Sequence, residues 1–141
     1  MMETIKILSV RQPWAWLIVN GLKPVENRSR RSHYRGSLYI HAGKRPADNF
    51  EEICNAIEDH YHVTLPDEFD AGGIVGRVNM TGCIHETDNH PMTDHFLFFG
   101  PYGYLMDAAV PIEFIPMRGK LGIFTAQLNP AAIKPLPPVT A

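Results

Sequence analysis

Gly21-Leu22-Lys23-Pro24-Val25-Glu26-Asn27-Arg28 sets two cations and a carboxylate around one proline, straight after an apolar segment ending in Asn20-Gly21. Pro24 excludes a helix interior, because its ring clashes with the preceding turn and it has no N–H to donate. Lys23 therefore sits at a helix exit or in a turn. Glu26 and Arg28, two apart, share one face of the strand that follows. The plain reading is a solvated turn with a surface ion pair, which adds little stability. The alternative is a site in which all three charged groups border one concavity. Residues three apart on a strand face opposite ways, so the turn at Pro24 must then swing Lys23 round to the Glu26 side.

On the N-terminal side, Ile5 to Val10 reads as a strand by β-branched content and partial alternation. Arg11-Gln12-Pro13 breaks it, and Pro13 suits the first position of a helix. Trp14 to Val19 is apolar nearly throughout, which predicts a short buried helix stopped by Asn20-Gly21. Its two tryptophans, two apart, point to different faces. Trp14 is either a core residue or a stacking platform at a cleft.

On the C-terminal side, Ser29 to Arg35 is a basic loop and Ser37 to Ala42 an interior strand, apolar in near-continuous order. Ala47 to His62 has helical spacing, with Phe50, Ile53, Cys54 and Ile57 on one stripe and acids on a solvated face. A loop over 63–73 leads to a long strand, Ile74 to Ile84, in which Gly76 and Gly82 mark bulges or barrel corners. Phe96 to Phe99, Tyr104 to Val110 and Leu121 to Leu128 read as further strands, and the proline-rich tail over 129–141 as extended and poorly packed. With no repeat or boundary, the expectation is one α+β domain over 1–141 with its core in 5–126. Its form is a small mixed β-barrel of about six strands with two flanking helices.

At 141 residues the chain is long enough for a core without staples. A composition of 45% hydrophobic and 20% charged residues places it among soluble globular proteins. No apolar run approaches the roughly 18–20 residues of a membrane span, and Met1 to Lys6 lacks the layout of a secretory signal. Two cysteines without C-x-x-C spacing fit a reducing cytoplasm, the expected location. Net charge is only −2, but it is unevenly spread. Residues 21–46 hold seven cations against Glu26 alone, and residues 47–95 hold eleven carboxylates against Arg77 alone. Either the blocks fold against one another and cancel, or one surface is polarised for a charged ligand.

Leu8-Ser9-Val10-Arg11-Gln12-Pro13-Trp14-Ala15 followed by Gly21-x-Lys23-x-x-Glu26-x-Arg28 resembles the ASCH domain, whose signature is G-x-K-x-x-E-x-R. Tyr34 to Ile40, Ala71 to Gly76, Phe98 to Tyr104 and Arg118-Gly119-x-Leu121-Gly122 are similar to later blocks of that family, so the resemblance covers about residues 5–126. It implies a PUA-like β-barrel with a cleft beside the first helix that holds RNA or DNA. Lys23, Glu26 and Arg28 would face that cleft, with Gln12, Trp14, Arg35 and Lys44 nearby. Some small members of similar fold hydrolyse an acylated cytidine with a lysine and a threonine three residues on. Here Glu26 stands at the threonine position.

Chemically, Arg28 can fork onto a phosphate or a guanine edge. Glu26 can accept from a base amino group or orient Arg28. Lys23 is a phosphate contact, or a general base if burial lowers its pKa. Trp14 offers a stacking surface for an unpaired base. His60, His62, His85, His90 and His95, with Glu86, Asp88 and Asp94, match no tight metal spacing, so neither metal nor cofactor is expected. His41 either lines the cleft or is a hydrogen-bonded residue at the core edge. Three functions follow: a module for RNA, single-stranded nucleic acid or a nucleoside; a small hydrolase (amidohydrolase or ribonuclease) using Lys23 and Glu26; or a protein-interaction domain using the acidic face.

Overall fold

The computed structural model describes residues 1–139; Thr140 and Ala141, the end of the expected extended tail, lie outside the described residues. The strands are β1 (Glu3–Val10), β2 (Val25–Arg28), β3 (Gly36–Ala42), β4 (Gly73–His85), β5 (Tyr102–Pro116) and β6 (Ile123–Leu128). Two α-helices, α1 (Trp14–Val19) and α2 (Phe50–Tyr61), flank them. The sheet runs β2-β5-β4-β3-β1-β6, and β1 pairs with β3 in parallel while every other ladder is antiparallel. Six strands and two helices in a mixed α+β sheet agree with the expectation, although the sheet curls without closing.

Both faces of the sheet are covered, and alternation along the strands assigns the side chains. Leu8 and Val10 of β1 join Leu38, Ile40 and Ala42 of β3 and Ala15, Ile18 and Val19 of α1 in one cluster. Ile5 and Ile7, of opposite parity, join Tyr39, Ile74, Ile112 and Phe124 in another. A third cluster lies under α2, where Ile57 meets Leu17, Val63, Leu65 and Leu97. The bulges fall where the glycines predicted them, with register shifts between Ile74 and Gly76 and between Met80 and Gly82. A Cβ at Gly76 would collide with Val19, so that glycine lets α1 lie directly on β4.

Three segments differ from the sequence reading. Phe96 to Phe99 is a loop, not a strand: Leu97 drops into the third cluster while Phe96 and Phe99 stay exposed. Strand β5 reaches Pro116 and takes in Pro111, tolerated where the β4–β5 register shifts. The tail is tied down: Ile133 packs against the second cluster, Leu136 N donates to Pro111 O, and Val139 N donates to Asn20 Oδ1 at 3.0 Å. Among the described residues no helix is long and apolar enough to cross a membrane.

Candidate functional site

Two edges of the curled sheet approach one another without a ladder. Strand β6 pairs with β1 only as far as Leu8, which leaves the end of β1 open on that side. A side chain spans the gap: Arg28 Nη2, on edge strand β2, donates to Ser9 O at 2.6 Å. The opening is a cleft of about 660 Å³.

The turn before β2 delivers Lys23 into it. Gly21, at φ +77, ends α1, and the N–H groups of Leu22 and Lys23 both donate to Leu17 O. Pro24 O then accepts from Met106 N, fixing the chain against β5. The Lys23 side chain is turned inward and left 1% exposed. Its Nζ donates to Val25 O at 2.6 Å and to Glu26 Oε1 at 2.9 Å, and it stands 5.3 Å from the centre of the Trp14 ring. Two of the three ammonium hydrogens thus have oxygen acceptors inside the protein, and the charge also lies over the Trp14 ring.

Glu26 is equally committed. Its Oε1 accepts from Lys23, and its Oε2 accepts from Arg28 Nε at 3.2 Å and lies 3.0 Å from Arg28 Nη2. Burial on its own raises the carboxyl pKa, but the charges and hydrogen bonds of Lys23 and Arg28 outweigh it and hold the group below its ordinary value. Arg28 keeps about a quarter of its side chain exposed. Its Nε and Nη2 are occupied by Glu26 and Ser9, which leaves Nη1 to address a ligand.

Lys23, Glu26 and Arg28 therefore border one concavity, with Trp14 and Lys44 in the same lining. Gln12 is placed elsewhere. It is buried, its Nε2 donates to Asp70 O, and its Oε1 accepts from Trp16 N at the start of α1. Arg35 is also apart, exposed and donating to Ser32 O and Tyr34 O within its own loop. The lining further includes Ser9, Arg11, Asn27, Arg45, Phe99 and Leu121, which sequence reasoning missed. Phe99 is 66% and Leu121 100% exposed, an apolar pair at the mouth of a charged cleft. Nothing in sequence distinguishes such residues from core ones.

Asn27, a variable position of the motif, explains how Phe99 gets there. Its Nδ2 donates to Leu97 O at 3.0 Å, and its Oδ1 accepts from Phe99 N at 2.7 Å and Gly100 N at 3.2 Å. One amide thus clips the β4–β5 loop to β2. Asn27→Ala should cost about 3 kcal/mol, at roughly 1 kcal/mol for each of the three hydrogen bonds lost. It should also speed hydrogen exchange at the Phe99 and Gly100 amides ahead of the core. Unchanged exchange at those two amides would show that the loop holds itself.

The histidine-rich loop has local roles. His90 Nδ1 accepts from Met92 N and His95 Nδ1 from Leu97 N, while His85 Nδ1 accepts from Thr87 N. Burial, then the charges of Lys23 and His60, hold His95 below the ordinary imidazole range. Among the described residues no group of three or more His, Cys, Asp or Glu side chains is placed to hold a metal. Both cysteines are free.

Comparison with known proteins adds a family to this geometry. The family model of the ASCH domain, a PUA-like domain proposed to bind RNA, matches residues 8–118. Activating signal cointegrator 1 of Mus musculus is 36% identical over 86 residues, and that of Homo sapiens 35% over 86 residues. Each alignment takes in 56% of this chain and 14% of the relative, so the chain spans only a small part of those proteins. Two crystal structures of the ASCH protein of Zymomonas mobilis, one of a mutant form, are similar over 79% of this chain and 75% and 73% of theirs. Their identities are 15% and 13%, with TM-scores of 0.46 and 0.47.

Proposed function

Since the chain belongs to the ASCH domain family, we propose that it is a binding module for RNA or other single-stranded nucleic acid, held at the cleft beside α1. The observation that carries this reading is the cleft's mixed lining. Arg11, Arg28, Lys44 and Arg45 stand with Trp14 and Phe99 in one hollow, and its single carboxylate, Glu26, is already neutralised from both sides. Cations for a backbone and rings for bases are what an unpaired strand requires. Lys23 and Glu26 build the site from beneath and contribute field rather than contacts. Acid–base turnover needs groups free to trade protons with a substrate, and these two are buried against each other.

The domain is acidic away from this groove, with Glu51, Glu52, Glu58 and Asp59 on α2 or its outer side. A long duplex wrapping the domain would meet that face. The module should therefore grip about three to five phosphates of a single strand, with log K falling against log salt at a slope of about −2 to −4. Unpaired or looped RNA should bind tighter than duplex of equal length. Fluorescence titrations of single-stranded and duplex oligonucleotides at several salt concentrations test it. Tighter duplex binding with a slope near −8 would overturn the reading. So would turnover of acylcytidine or short RNA that is abolished in Glu26→Gln while the fold persists.

A further inference from the structure

A second hollow, of about 640 Å³, opens directly beside the cleft, and Ser9, Gly43, Lys44 and Leu121 wall both. The motif does not reach it. Its cations are Lys44, Arg118 and Lys120, and among the described residues its lining holds no carboxylate. Among the described residues none of the three has an acidic partner within ion-pair distance. In a chain of net charge −2, three unpaired cations round one concavity repel one another and raise the local potential for an anion.

The loop that carries two of them is fixed from below. Ser9 and His41 are register partners on the parallel β1–β3 ladder and project from one face. His41 is 2% exposed; its Nε2 donates to Met117 O at 2.6 Å, and its Nδ1 stands 3.1 Å from Ser9 Oγ. With Nε2 donating to a carbonyl, the neutral ring has Nδ1 as acceptor for the Ser9 hydroxyl. His41 therefore pins the loop at Met117. Gly119 lies against the same pair: a Cβ there would come within 2.7 Å of His41 Cε1 and 2.8 Å of Ser9 Oγ. The closeness that only glycine allows holds Arg118 and Lys120 over the hollow. From the other side, the Lys44 stem crosses Gly72, where a Cβ would be 3.1 Å from Lys44 Cε.

We infer that this second hollow is a phosphate subsite, receiving the phosphate that adjoins the base held in the first cleft. The inference rests on the nucleic-acid reading of that cleft and deepens it. The protein would grip a backbone step of two nucleotides through Lys44, Arg118 and Lys120, and a free nucleoside would leave half the groove empty. Phosphate suits the lining because point-charge and forked donors serve it equally and no carboxylate opposes it.

The test uses a single-stranded tetranucleotide with each of its three linkages replaced in turn by a neutral methylphosphonate. With the wild-type chain, one substituted linkage should weaken binding about tenfold, the size of one charge-assisted contact. In the Arg118→Ala/Lys120→Ala chain, whose altered residues are exposed, the unmodified tetranucleotide should bind about tenfold more weakly. The same linkage should then cost less than about twofold, the signature of a coupled pair. Phe99→Ala, in the first cleft, should weaken binding while keeping the linkage effect. A linkage effect that survives in the double variant, or an absent one in wild type, overturns the subsite and leaves the binding function standing. A wild-type chain that binds no tetranucleotide and no longer strand overturns the parent reading, and this inference with it.

Discussion

Lys23→Met should lower the unfolding free energy by about 3 kcal/mol or more, the cost of removing one partner from a buried ion pair. For a chain of this length that is a fall in Tm of roughly 10 °C, at about 2–4 °C per kcal/mol. Methionine keeps most of the volume, so the loss is electrostatic. Val25 O forfeits its partner, and Glu26 is left buried with Arg28 alone. If uncompensated charge is the cause, Lys23→Met/Glu26→Leu should be less damaging than the single change, a coupling that urea melts of the variants would resolve.

The acid limb of stability follows from the same group. Glu26 titrates lower in the folded than in the unfolded chain, so its contribution is fully present above the unfolded value of about 4.3. It is lost as pH falls through the lower folded value. Lys23→Met removes the first of the lowering charges and leaves burial, which raises the carboxyl. The onset, set by the unfolded chain, is unchanged, so the variant should lose less stability than wild type as pH falls below about 4.3. A Lys23→Met chain as stable as wild type, with weakened oligonucleotide binding, would instead make Lys23 a direct ligand contact.

This buried role was not legible in Gly21–Arg28. Spacing shows that Glu26 and Arg28 share a face, and Pro24 shows that Lys23 is in a turn. Whether the group ends in solvent or beneath a tryptophan depends on how α1 lies on β4, which is settled at Gly76. The strands over 5–10, 37–42 and 74–84 and the helix over 14–19 were readable because alternation and proline placement are local. Phe96 to Phe99 was not. An apolar run looks the same whether its side chains pack together or part company, and the clip that separates them is Asn27, seventy residues away in sequence. Gln12 sits beside Trp14 in sequence, yet its amide closes the start of α1 and tethers Asp70. Arg118 and Lys120 escaped because their neighbours in the groove, Ser9, His41 and Lys44, come from the first third of the chain.

Arg28 and Arg31 should separate reading from steering. The Arg31 guanidinium lies 5.0 Å from the Tyr102 ring and does not line the cleft, so Arg31→Ala should only make the salt slope shallower, by under one unit. Arg28→Ala should weaken single-strand binding by about 1–2 kcal/mol, roughly 5–30-fold. That range is the lower part of what a full fork would give, because Glu26 and Ser9 already occupy Nε and Nη2. Arg28→Lys decides between charge and geometry. An ammonium cannot reach Glu26 Oε2 and Ser9 O while presenting a further nitrogen to the cleft, so lysine should restore the salt slope without the affinity. Melts of the three variants beside the titrations would separate lost contacts from lost fold. If lysine restores both slope and affinity, Arg28 acts as a point charge and the planar bridge from β2 to β1 has no part in recognition. If Arg31→Ala weakens binding as much as Arg28→Ala, the strand runs over the basic loop and outside the cleft altogether.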